Sequence, residues 1–259
     1  MWFDEIMDDC KKGLEVANEN KGIFIPILIN AGFYILFFAA ALLFLVIFFI
    51  AHGRNLENVF NDPENFMNIF LPLIIGGLGA YLLFIILRSV IEAGSINLYK
   101  FAAEGIRPKA CYFFDGAKRY FFKIFAGTIF FHMILLVLLI PLLLLLILYT
   151  LTVGVLTGGW GLILVGVIGG IYLSAWTVAV VVDDIGPLKA IGMSIKLGRK
   201  YFRGLFVLTL SGIMISNYLS VAFGPLVVFI GGWFISGVVL AFFKLVLLLV
   251  YKRKKEEVF

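Results

Sequence analysis

Histidine and cysteine are almost missing from this chain, with two of each among 259 residues. That scarcity leaves no disulfide framework, and Cys10, His52, Cys111 and His132 do not have the spacing of a zinc ligand set. No nucleophile–base pair and no metal-ligand spacing occurs elsewhere, so no catalytic, metal or cofactor-binding residue is assigned and an enzyme is not expected. Charge is scarce too. Only 14% of residues are Asp, Glu, Lys or Arg, against about 25% in ordinary soluble domains. A cleavable leader is not expected either, because Asp4, Glu5, Asp8, Asp9, Glu15 and Glu19 crowd the stretch where its apolar core would stand.

What fills the space is apolar. The chain is 63% hydrophobic with 28 Phe residues and a mean hydropathy of +1.09. Six blocks stand out, at about 23–51, 67–89, 124–151, 159–182, 205–223 and 225–250. Each holds the roughly 20 apolar residues that cross about 30 Å of hydrocarbon. The basic residues are split unevenly among the connections. Twenty of the 21 fall on one side of the six blocks, and Arg54 stands alone on the other. Short loops rich in Lys and Arg remain cytoplasmic. The expectation is therefore one integral membrane domain over 1–259, all-α and polytopic, in the cell membrane with both termini in the cytoplasm. The net charge of +5 then suits an anionic inner leaflet, and nucleic acid is not an expected partner. Cys10 and Cys111 fall on the cytoplasmic side as free thiols.

Three stretches outside the blocks have helical period with one apolar face: about 2–20, 109–123 and 187–203. Beside a membrane such helices are expected to lie in the interface. Each precedes a span and a return span, which suggests a threefold unit of amphipathic helix, span and span. The second and third units share a signature. Lys118-Arg119-Tyr120-Phe121-Phe122-Lys123-Ile124-Phe125 parallels Arg199-Lys200-Tyr201-Phe202-Arg203-Gly204-Leu205-Phe206. Basic residues and Tyr at this point would anchor at lipid headgroups. The acidic first unit lacks the signature. The second block is expected to run on as helix to Ala103.

The junction Glu92-Ala93-Gly94-Ser95-Ile96-Asn97, the later Asp115-Gly116-Ala117-Lys118, and Val182-Asp183-Asp184 followed by Ala190-Ile191-Gly192-Met193-Ser194 together resemble a broad group of prokaryotic six-span membrane proteins. That group is related to the membrane domain of glycerophosphodiester phosphodiesterases. The resemblance implies an architecture and no hydrolase activity, since Tyr251–Phe259 leaves no room for a soluble catalytic domain.

The candidate polar site is an inner mouth formed by Arg88, Glu92, Asp183 and Asp184. It would select a polar headgroup, Arg88 meeting an anion that the carboxylates orient. The plainer alternative pairs Arg88 with Glu92 along one helix and leaves Asp183 and Asp184 to cap the next. Two polar residues lie within spans. His132 is either a proton relay or substrate contact, or a neutral imidazole bonded to a neighbouring helix. Asn30 is placed to bond another helix. Lys244 would snorkel to the inner surface. Three functions remain open: a permease-like or lipid- and amphiphile-handling protein, a scaffold or accessory subunit docking a membrane partner or a second copy, and a membrane enzyme.

Overall fold

Long runs of Leu, Ile, Phe and Ala favour helix, and helix is what they form in a computed structural model of the chain. It describes residues 2–52, 63–153, 168–222 and 231–258, with no strand among them. The connections at 53–62, 154–167 and 223–230, Arg54 included, lie outside the described residues. The helices are α1 (Trp2–Glu19), α2 (Ile25–His52), α3 (Pro63–Ala103), α4 (Ala110–Val153), α5 (Trp176–Asp183), α6 (Pro187–Ala222) and α7 (Gly231–Val258), with a 3-10 turn at Lys21–Phe24. Two helical stretches, Lys21–Ala51 and Phe70–Ala103, are long and apolar enough to cross a bilayer and are hardly buried; Ile168–Asp183 is apolar but shorter. Six such helices are not found among the described residues.

The chain divides into two compact units, Leu28–Arg88 and the remainder, Met1–Ile27 with Ser89–Phe259. The smaller unit is an antiparallel hairpin of α2 and α3 joined by aromatic rings. Phe37 meets Phe84 with centroids 5.9 Å apart. Phe48 is buried against Phe70 and Leu73. A Cβ on Gly76 would stand 2.5 Å from Phe44, so the helices touch there because residue 76 has no side chain. The outward positions are apolar, with Leu36 at 68% and Ile50 at 81% exposure.

In the larger unit α3, α5 and α7 run in one direction and α4 and α6 return. Glu92 on α3 lies level with Thr177 on α5 and Lys244 on α7. Further along, Lys100 reaches the carbonyls of Val181 and Val182, and Tyr251 reaches Asp183. The α3–α4 hairpin crosses closely, since a Cβ on Gly116 would lie 2.3 Å from the Cβ of Asn97. Asn97 also donates to the Tyr112 carbonyl at 2.7 Å.

Two expectations need correction. The stretch 109–123 is not a separate helix but the opening of α4, 44 residues long. The stretch from Pro187 does stand apart as expected, since α6 is two helical pieces meeting at a kink at Tyr201 (φ −118°, ψ 30°). A helix already begun is extended at little cost, and nothing in Lys123-Ile124 breaks it. At Tyr201 the flanking Gly198 and Gly204 weaken the helical preference. The α1 face is also shared differently than the periodicity implies. Ile6, Asp9 and Gly13 face inward, while Phe3, Met7 and Leu14 stay exposed. The extension of the second block is as expected: α3 is 41 residues long, with Pro72 inside it, or about 60 Å.

Candidate functional site

The charged side chains of the larger unit gather at one end, where α3, α5 and α7 finish and α4 and α6 begin. Glu92 accepts from Thr177 Oγ1 at 3.1 Å and pairs with Lys244. Asp183, its side chain 8% exposed, accepts from Lys255 at 2.5 Å and from Tyr251 Oη at 2.6 Å. Asp184 ends α5 in the left-handed region (φ 54°), a conformation Asp tolerates better than most residues. Its carboxylate takes Arg119 at 2.5 Å and Lys123 at 2.6 Å. Hydrogen bonds from Lys123 and Arg119 hold that carboxyl below its usual range.

Three of the four residues of the expected inner mouth are thus held by separate partners. Asp183 and Asp184 do not cap α6; their carboxylates reach α4 and α7 instead. Glu92 has Lys244 of α7 as a cation partner. Arg88 closes the smaller unit and is exposed. His132 Nδ1 lies 2.6 Å from the Thr128 carbonyl one turn back on its own helix, so that bond does not reach a neighbouring helix. Asn30 is half-buried in α2.

The residues that sequence reasoning missed had a signal. A lysine isolated among apolar residues points to an internal partner, and Lys244 has one. Other bridges fix α1. Arg253 pairs with Asp9 at 2.6 Å and Glu5 at 3.4 Å. Lys254 pairs with Glu5 at 2.8 Å and Glu257 at 2.9 Å. Burial pushes the Asp9 carboxyl up despite Arg253 and Lys12.

Between α1, α6 and α7 a cavity of about 570 Å³ opens beside the break at Tyr201. Its lining combines charged residues, Arg199, Arg203 and Arg253 among them, with apolar ones, including Ile6, Leu205 and Leu208. Tyr201 Oη donates to the Glu257 carboxylate, Lys200 donates to the Glu257 carbonyl at 2.5 Å, and Lys254 stands 4.9 Å from the centre of the Tyr201 ring. Among the described residues no group of His, Cys, Asp and Glu could hold a metal ion. Comparison with protein families, curated proteins and solved structures finds no match to this chain.

Proposed function

We propose that this chain is a multi-pass membrane protein that holds or moves an amphiphilic molecule at the cytoplasmic face, with six spans and both termini inside. The observation that carries it is the larger unit's polar end. α3, α5 and α7 finish there, as second, fourth and sixth spans of a protein with both termini inside would. The basic residues of Lys109–Lys123, Pro187–Arg203 and the tail collect at that end, while the long helices leading to it expose Leu, Ile and Phe. An apolar exterior in lipid needs no cover, whereas in water it would associate. The cavity at that end is lined by both charged and apolar side chains, as an amphiphile requires. The resemblance to six-span membrane proteins agrees with this architecture.

Two measurements test it. With Cys10 and Cys111 replaced by Ser, an outside-only thiol reagent should label cysteines at Asn58 and Thr157 in intact cells and miss one at Lys196. Labelling at Lys196 would sink the topology. Saturable lipid binding, or lipid flux in vesicles, is expected of the purified protein. A protein that copurifies with another membrane protein and binds no lipid would be a scaffold instead.

A further inference from the structure

We infer that the cavity beside Tyr201 is a recognition site for the phosphate of an anionic amphiphile, gripped by Arg199 and Arg203 with the chain against Ile6, Leu205 and Leu208. The inference rests on the lipid-handling reading above and names its ligand.

Charge without a carboxylate partner is the first reason. Five cations surround the cavity: Arg199, Lys200, Arg203, Arg253 and Lys254. The carboxylates bonded around them are Glu5, Asp9 and Glu257, and these serve Arg253, Lys254 and Tyr201. Arg199 and Arg203 meet no carboxylate among the described residues.

The repeat supplies a second, independent reason. In the α4 copy of the signature, Arg119 and Lys123 close on an anion that the protein itself provides, Asp184. The α6 copy has Arg203 where α4 has Phe122, and Gly204 where α4 has Lys123. The glycine removes a long side chain from the wall of the cavity, and the arginine adds a planar donor fork suited to phosphate. Asp184 lies between two cations of the α4 copy; in the α6 copy Glu257 takes Tyr201 and Lys200, and Arg199 and Arg203 are left beside a space of about 570 Å³, within the range of small-molecule sites.

The test uses the full chain in mild detergent with short-chain phosphatidic acid, phosphatidylcholine of the same chains, and inorganic phosphate. Wild type should bind phosphatidic acid at least about tenfold more tightly than either other probe. R199Q/R203Q should lose that preference with the melting temperature of the lipid-free protein kept. R107Q/K109Q removes the same charge elsewhere and should keep the preference. R203E offers an internal carboxylate to Arg199, as Asp184 does to Arg119, and should also abolish it. Equal affinity of wild type for phosphate alone would overturn the amphiphile part. A preference unchanged in R199Q/R203Q and R203E would overturn the site while leaving lipid handling standing. A wild type that binds none of the lipids would overturn lipid handling itself.

Discussion

The two copies of the basic Tyr-Phe signature share a geometry and differ in what occupies it. Phe121 stacks on Phe125 with centroids 5.5 Å apart, and Phe202 stacks on Phe206 at 6.0 Å. Each Tyr has cations near its ring: Arg119 and Lys123 at Tyr120, Lys200 and Lys254 at Tyr201. Beyond that they part. The α4 copy buries its tyrosine, Tyr120 being 3% exposed, and its paired cations are bound to Asp184. The α6 copy breaks the helix, leaves two guanidinia without a carboxylate and borders a cavity. One framework closes two of its cations on Asp184 in α4 and borders a cavity in α6.

Exchanging the residues that differ should break this contrast most severely. Gly204→Lys puts the lysine of the α4 copy into α6. Its Cβ would stand 2.7 Å from Ile6 Cδ1, so the Ile6 side chain must move and the rest of the lysine must find room beside α1. Overpacking of this kind costs about 1–3 kcal/mol. The melting temperature should fall and limited proteolysis should cut α1 first. Adding Ile6→Ala should recover part of the loss, and the absence of any recovery would place the clash elsewhere. The reverse exchange, Lys123→Gly, is expected to cost less. It removes one half-exposed ion pair, worth up to about 1 kcal/mol, and adds about 1 kcal/mol of helix penalty. A larger loss than that of Gly204→Lys would contradict the account.

Next in size is the anion itself. Asp184→Asn keeps a residue that tolerates the left-handed region and removes the charge that Arg119 and Lys123 share. Asp184 is 40% exposed and Arg119 65%, so the loss should be below about 1 kcal/mol. Its pH dependence is the sharper measure. The carboxyl is held below its usual range, so its stabilisation is present above the ordinary aspartate value and is lost as pH falls from about 4 through the lowered one. Melting temperatures at pH 7 and pH 3 should therefore differ less in Asp184→Asn than in wild type. An equal difference would mean that the clamp carries no pH-dependent stability.

Parts of this arrangement were legible in the residues and parts were not. Helix, the length of α3 and the doubled signature follow from period and composition. Continuity of 109–123 with the third block does not, because an amphipathic helix and a span look the same whether joined or hinged. The partners of the charges were less legible still. Arg88 and Glu92 are close in sequence, and proximity suggested their pairing. Glu92 meets Lys244, 152 positions away, because α3 and α7 run side by side, which no local pattern encodes. The cavity was hidden for the same reason: its walls come from both ends of the chain, and Gly204 marks it by lacking a side chain.

The smallest expected effect compares exposed cations at equivalent positions. Lys118 in the α4 copy aligns with Arg199 in the α6 copy, and both are exposed. Lys118→Gln and Arg199→Gln should each change the stability of the lipid-free protein by less than about 0.5 kcal/mol, as surface substitutions usually do. They should separate once an anionic lipid is added. A ligand that binds only the folded state raises its melting temperature in proportion to the logarithm of the bound excess. Arg199→Gln should therefore lose most of the rise that phosphatidic acid gives to wild type, and Lys118→Gln should keep it. Matching rises in the two variants would mean that the lipid responds to the basic surface as a whole, which screening by salt would then abolish in both. A rise that survives salt in Lys118→Gln and is missing in Arg199→Gln would place the difference between the copies in the cavity.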